Sequence, residues 1–298
     1  MQKKAASKLR ASYSERHLAR LNSCSGKVAG KWLSAFPSSW WPEFADDHFI
    51  MALRFRAGIS VVRPGHVCQH HSARDADLEC NQIMDVHGDH CIICGIGGHL
   101  FMRHDAVNHI LAEAARASGY TALMEQTIPE LVSVKSLADG SVRVTEARLD
   151  IELCGHAYAP DHLIDATVRH ASTGKSTHAA ARVAGHAAEM GVKAKAKRYP
   201  SCHGRVVLGC AIETGGYTSK TLDALLEELA GLAARRQRQR GVLPTRWLVK
   251  WRTQLSMAVA RCIRRAIVES LPKVDRYWRF AGVAEHFSRA DVFDEAPG

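Results

Sequence analysis

"SVRVTEARLDIELCGHAYAPDHLIDATVRH", residues 141–170, holds the pattern that decides the fold. Two runs within it, "SVRVTEARLDIEL" and "HLIDATVRH", mix apolar and polar positions as strands do, and "CGHAYAPD" between them carries the Gly, Pro and Asp of a turn. Strands that follow one another so closely usually pair antiparallel. Each is interrupted by an acid, Asp150 in the first and Asp165 in the second, and antiparallel pairing brings the two carboxylates to one end of a sheet. Oxygen ligands arranged in that way suit a hard divalent cation such as magnesium. The acids also admit a plainer reading, with Asp150 and Glu152 on a solvated strand face and Asp165 in an ordinary polar contact.

The pattern extends in both directions. Upstream, "YTALMEQT" is a further strand, and "ADG" supplies a hairpin-type turn before residue 141. From Asp105, the residues Val107, Ile110, Leu111 and Ala114 follow helical spacing until Gly119. Downstream, an Ala-rich helix is predicted from Thr177 to Lys197, and Pro200 forces Tyr199 out of helical conformation. "RVVLGCAIETGG" then reads as an interior strand. Two helices close the pattern, one with Leu222, Leu225, Leu226 and Leu229 on a face, the other with Trp251, Leu255, Ala258, Val259 and Cys262. Helix, three strands, helix, strand, helix predicts an α/β domain with a mixed sheet flanked by helices.

"ECNQIMDVHGDHCIICGIGGHLFMRHD", residues 79–105, sets three cysteines and four histidines in a turn-rich stretch. Structural zinc takes four Cys or His ligands. Cys80, His90 and Cys94 fit that requirement, "DVHGDH" makes the turn, and Cys68 upstream is available as the fourth ligand, with Cys91 and His99 as competitors. Four protein ligands close the site, so such a zinc holds structure and leaves no position for water.

These readings divide the chain into a basic helical leader (1–60), a zinc-knuckle module (61–103), an α/β core (104–235) and a basic helical extension (236–298). In the leader, a helix starts at Asp46 or Asp47 with an apolar stripe of Phe49, Leu53 and Phe55, and Gly58 ends it. The preceding residues, 1–30, read as a mobile arm or a helix belonging to something upstream.

Nine cysteines without a compact framework argue for a reducing compartment. No run of eighteen apolar residues and no apolar signal core are present, so neither a membrane span nor secretion is expected, and the chain reads as intracellular. Forty Lys and Arg against thirty Asp and Glu give a formal charge of +10, which favours a polyanionic partner. Cations gather at the end of the Ala-rich helix, in "GVKAKAKRYP" (Lys193, Lys195, Lys197, Arg198, then Tyr199), where a lysine can orient water or stabilise charge on a phosphate. Arg235, Arg236, Arg238 and Arg240, together with Arg261 to Arg265, are further candidates for phosphate contacts.

The order of spaced cysteines, "GDH", "C", "GG", "RHD", two strand aspartates, a Lys-rich helix ending in "RYP" and a strand with "ETGG" resembles the C-terminal region of non-LTR retrotransposon proteins that carry a restriction-like endonuclease. The resemblance spans about residues 45–270. It implies a CCHC zinc knuckle, with Cys68, Cys80, His90 and Cys94 at its positions, followed by a magnesium-dependent PD-(D/E)XK nuclease that nicks DNA. By the same resemblance Asp150 and Asp165 match the metal-binding acids, Arg103, His104 and Asp105 match the motif opening the first helix, and Lys195 is the best match to the helix lysine, followed by Lys197 and Lys193. The chain departs from the family at Leu149, where a proline usually precedes the first acid, and at Thr167, where a strand lysine is usual. The resemblance further implies a nuclear location and a reverse transcriptase polymerase as partner. The alternatives are a non-catalytic zinc-containing module that binds DNA or RNA, and a relic fragment of a reverse transcriptase protein.

Overall fold

In the computed structural model, which describes residues 10–35, 46–72, 74–75, 77–136, 140–145, 147–199, 206–236 and 243–272, the two acid-bearing runs form adjacent strands of a four-stranded sheet. The helices are α1 (Glu15–Ser23), α2 (Asp46–Ala57), α3 (Asp89–Ile93) and α4 (His99–Ser118). The strands β1 (Thr121–Thr127), β2 (Ser133–Ser136), β3 (Val142–Thr145), β4 (Arg148–Cys154) and β5 (His162–Arg169) follow. Then come α5 (Gly174–Arg182), α6 (His186–Arg198), β6 (Val207–Glu213), α7 (Lys220–Arg236) and α8 (Pro244–Ser270).

The sheet order is β1-β4-β5-β6, with β1/β4 and β4/β5 antiparallel and β5/β6 parallel. A parallel neighbour needs a crossover, and α5 and α6 provide it. The alternating residues Ile151, Leu153, Ile164, Ala166, Cys210 and Ile212 join one apolar core with α4, α7 and α8. On the other face α6 lies against β5 and β6. Gly191 meets Thr167 and Ala211, and Gly209 meets Lys195 and Val192, at distances tighter than ordinary side-chain packing. Glycine therefore allows the close approach of helix and strand backbones, strictly at Gly191 and with only slight give at Gly209.

Several expectations are corrected here. The run at 141–153 is two strands: β3 pairs with an unanticipated β2 in a separate hairpin, and only β4 enters the main sheet. The Ala-rich helix is two helices, broken at Gly185, whose φ of 76° is left-handed, and whose Cα hydrogen faces the Tyr217 ring too closely for any Cβ. The residues read as an arm include α1, which is docked: Asn22 Nδ2 donates to the Ala180 and Ala181 carbonyls at 2.8 and 2.9 Å, and Ala19 packs among Ala180, Ala181 and Ala187. The helix at Asp46 forms and ends before Gly58, but Ala52, not Leu53, joins Phe49 and Phe55 on its packed side, and Leu53 is exposed.

The boundary at 103/104 falls inside α4, and the boundary at 235/236 in the last turn of α7. One apolar core runs from Val61 and Cys91 through Leu111, Ile164 and Leu226 to Trp251 and Ile267. The Cys/His segment, the sheet and α8 thus share buried surface. Among the described residues, no helix is long and apolar enough to cross a membrane.

Candidate functional site

The β4/β5 register pairs Ile151 with Ile164, and one step further along it Asp150 stands opposite Asp165. The same level crosses the whole sheet: on β1 the residue facing Asp150 is Glu125, and on β6 Asp165 adjoins Gly209. Three acids in a row would repel. Glu125 leaves the row by adopting a left-handed backbone, φ 55°, and its exposed carboxylate pairs with Arg148.

The remaining two acids are held differently. Asp150 Oδ2 accepts hydrogen bonds from His104 Nε2 at 3.0 Å and from the Ala166 amide at 2.6 Å. Burial works to raise the Asp150 pKa, but the His104 hydrogen bond and the neighbouring groups win, and it lies below the ordinary carboxylate value. His104 is shifted up in turn, chiefly by the bond to Asp150. Asp165 is only 3% exposed, and burial, reinforced by the Asp150 charge, raises its pKa against the opposing pull of Lys195. Lys195 Nζ donates to Asp165 Oδ1 at 2.6 Å. The second oxygen, Asp165 Oδ2, and the hydroxyl of Tyr199 are both buried, and neither makes a hydrogen bond of ordinary geometry. That hydroxyl is pushed up to about 12, first by burial and then by the Asp165 charge. The hydroxyl also acts on Asp165 as a hydrogen-bond donor, so the two buried oxygens are each other's partner at looser than ordinary geometry.

Of the lysines ending α6, Lys195 reaches the carboxylates because Gly209 lets its helix turn sit on β6, while Lys193 and Lys197 are exposed. Arg198 is exposed too and lies over the Tyr199 ring at 5.0 Å from its centroid. Arg103 is corrected as a nucleic-acid contact. It is 3% exposed, donates to the Ile92 carbonyl and is lowered to about 10 by burial, so it ties α4 to the Cys/His segment. Arg235 and Arg236 are exposed at the end of α7; Arg238 and Arg240 lie outside the described residues. Glu213 sits at the opposite end of β6 from Gly209, where it accepts the Ala188 amide at 3.0 Å and caps the start of α6.

The second cluster is Cys68, Cys80, His90 and Cys94, whose ligand atoms lie within 4.8 Å of one another. These residues can hold a metal ion such as zinc, and the Cys3His set and spacing suit a closed tetrahedral site. Local structure explains their convergence. Backbone bonds between residues 66–70 and 80–84 form a short ribbon, with Cys68 donating to Gln82 and Cys80 donating to His70, so both sulfurs come from paired segments. Asp85 accepts the amides of His87, Asp89 and His90 and thereby holds the turn that starts α3. Gly88 has φ 79°, and a Cβ there would strike Val61. The Cys68 thiol is raised, first by its hydrogen bond to Cys94, while Cys94 is pulled down to about 2 by the same bond. A metal bound there would displace the proton that these two sulfurs share. Cys91 and His99 stand apart: Cys91 Sγ meets Met84 Sδ and Ser270 Oγ in the core, and His99 faces Glu269.

Sequence reasoning missed the junction between the two clusters. Asp89, one residue before His90, accepts from His170 Nε2 at 3.0 Å and from Arg16 Nε at 2.5 Å. His170 follows β5, and its Nδ1 accepts the Thr214 hydroxyl at 2.7 Å. Burial works to raise the Asp89 pKa, yet the two donors hold it below the ordinary value. The "GDH" triplet and the His after "ATVR" were legible signals, but their pairing spans 81 positions. The chain matches no protein-family model, and no curated protein sequence is significantly similar to it.

Proposed function

We propose that the protein is a metal-dependent phosphodiesterase of the restriction-like class, acting on DNA. Within that class we assign it to the endonucleases of non-LTR retrotransposons, with a nuclear site of action and a reverse transcriptase polymerase as partner. The observation that carries the reading is the meeting of Asp150, Asp165 and Lys195 at one level of the sheet, with Asp165 Oδ2 buried and making no hydrogen bond of ordinary geometry. The helix, three-strand meander, helix, parallel-strand order supports it, because the central strands of that topology present their acids at one place.

In this reading Asp150 and Asp165 supply oxygen ligands to magnesium, and the buried Asp165 Oδ2, which no hydrogen bond of ordinary geometry satisfies, is the feature that fits a hard cation. Such an ion, when bound, contributes Lewis acidity and an activated water. The chain's own residues do the rest. His104 and the Ala166 amide fix the Asp150 carboxylate in one rotamer. Lys195 sets a positive charge beside Asp165, where the phosphate oxygens gain negative charge as the attacking water adds and the bridging P–O bond breaks. The Cys3His cluster holds structure, and through Asp89 and His170 it anchors the end of β5.

A second reading has its own observation: both acids already have cationic or imidazole partners within the chain, as in a non-catalytic nucleic-acid-binding module or a relic of a reverse transcriptase protein. One experiment separates the two. Supercoiled plasmid is incubated with zinc-loaded protein with and without magnesium, using omission of magnesium as the control because a chelator also strips zinc. The nuclease reading expects nicked circles that require magnesium and vanish in Asp165→Ala and in Asp150→Ala, each verified to keep its zinc. No nicking by the native chain, or nicking that survives in Asp165→Ala, refutes it.

A further inference from the structure

A cavity away from the carboxylates opens where the parallel strands β5 and β6 end. Its space, open mouth included, is about 580 Å³. Residues 170–172 and 214–216, which follow the two strands, form part of its wall, and α1, α2 and α8 supply the rest. Ligands of open α/β sheets are bound outside the carboxyl ends of the strands, so the position is a favourable one. Asp165 stands four positions before the end of β5, roughly 13 Å away along the strand, and the cavity is therefore separate from the carboxylate site.

The charged side chains lining it are Arg20, Arg56 and Asp89, with His170 beside Asp89. Asp89 is already matched, because Arg16 and His170 both donate to it. The two arginines are not. Among the described residues neither pairs with a carboxylate, and their partners are carbonyls. Arg20 Nη1 donates to the Arg56 carbonyl, and Arg56 donates to the carbonyls of Cys24 at 3.0 Å and Gly215 at 3.5 Å. A guanidinium carries five N–H donors, so most of theirs make no bond within the chain, and Arg20 Nε is buried with no partner. Burial is the main cause that lowers the Arg20 pKa, and the neighbouring Arg16 and Arg56 charges lower it further. Two adjacent guanidiniums without a carboxylate repel each other and lack a counter-charge, and an anion against both removes the two costs together.

The charge count selects the anion. Arg20 and Arg56 leave two positive charges uncompensated, whereas a carboxylate carries one negative charge and a phosphate group about 1.5–2 at neutral pH. Guanidinium forks also match the spacing of phosphate oxygens. The Ser172 hydroxyl lines the same cavity, makes no bond among the described residues and offers a further donor. The remaining lining includes Trp32, Phe55, Val259 and Ile263, an apolar wall suited to the body of a monoester.

We propose that this cavity is a phosphate-binding site, in which Arg20, Arg56 and Ser172 hold a dianionic phosphate, free or carried on a small monoester, and so tie α1 and α2 to the ends of β5 and β6. The proposal goes beyond the nuclease reading and does not depend on it.

The test titrates zinc-loaded protein without magnesium by calorimetry, at about pH 8 where the phosphate is dianionic, with inorganic phosphate, phenyl phosphate and benzoate. The native chain is expected to bind phosphate at one per chain, and benzoate at least about tenfold more weakly. Arg20→Gln and Arg56→Gln should each weaken phosphate binding about tenfold or more, the loss of a charge-assisted hydrogen bond. Two further variants serve if an arginine variant fails to fold. Ser172→Ala removes a hydroxyl that holds nothing else and should weaken binding about threefold, and Ala260→Leu, which grows into the cavity from α8, should abolish it. Tighter binding of phenyl phosphate than of inorganic phosphate supports the proposal with a monoester as ligand, and equal or weaker binding supports it with free phosphate. Lys195→Gln should leave the affinity native. Phosphate binding that is lost in Lys195→Gln and kept in the arginine variants places the anion at the carboxylates and overturns the proposal. Benzoate bound as tightly as phosphate, native affinity in Ala260→Leu, or no phosphate binding by the native chain overturns it too. Each of these results leaves the plasmid-nicking test of the nuclease reading as it stands.

Discussion

Replacing Gly209 with alanine places a methyl group where α6 crosses β6. Its Cβ would lie 3.1 Å from the Lys195 Cβ and 3.3 Å from both the Cα and the carbonyl oxygen of Val192, whereas carbon pairs pack best at about 3.5–4.0 Å. Two of these three atoms belong to the helix backbone, so no rotation of a flexible side chain relieves the clash. α6 must lift by several tenths of an ångström, yet it is held down one turn earlier at Gly191, against Thr167. Overpacking of this kind costs about 1–3 kcal/mol. The entropy that alanine removes from the unfolded chain offsets about 0.5–1 kcal/mol of it, which leaves a net loss of about 0–2.5 kcal/mol. Lifting the helix also draws Lys195 Nζ away from Asp165 Oδ1, now at 2.6 Å, so plasmid nicking is expected to fall while DNA binding persists. Urea denaturation should show a lower midpoint at an unchanged slope. An alanine variant more stable than the native chain, or an equally stable one with native nicking, would refute the claim that glycine is needed for this contact.

Zinc content measured by elemental analysis should stay at one per chain in Cys91→Ser and fall in Cys94→Ser and Cys80→Ser, because Cys91 faces Met84 and Ser270 and the other two belong to the ligand set. Since the Cys/His segment shares its core with α4 and α8, removing the metal should lower the melting temperature of the whole described fold and produce no separate early transition. His170→Ala deletes the bonds to Asp89 and Thr214 and leaves Asp89 with one fewer donor, so urea titration should record a loss of about 1.5–3 kcal/mol with zinc still bound. His104 has a raised folded pKa, so its bond to Asp150 contributes stability that is full below about pH 6.5 and is lost as pH rises through the folded value. The stability difference between the native chain and His104→Gln should therefore be larger at pH 6 than at pH 9, and an equal difference at both would refute the pairing.

Residues 141–170 by themselves determined that two acid-bearing strands would sit side by side, because alternation and a short Gly/Pro turn are local properties. The Cys3His set was legible for the same reason: its members lie within 27 positions of one another. The strand at 133–136 was not legible, since "SVKS" has too few apolar residues to signal a strand without its partner β3. The break between α5 and α6 was also hidden, because an Ala-rich run reads as continuous helix until Tyr217 is packed against Gly185. Only the tertiary structure decided which of three lysines meets Asp165, that Arg103 is buried, that Glu213 caps a helix, and that Asp89 and His170 join the two clusters. Each of those outcomes depends on the distance between elements far apart in the chain, and that distance is set by glycines, helix directions and a shared core that no local window of sequence contains.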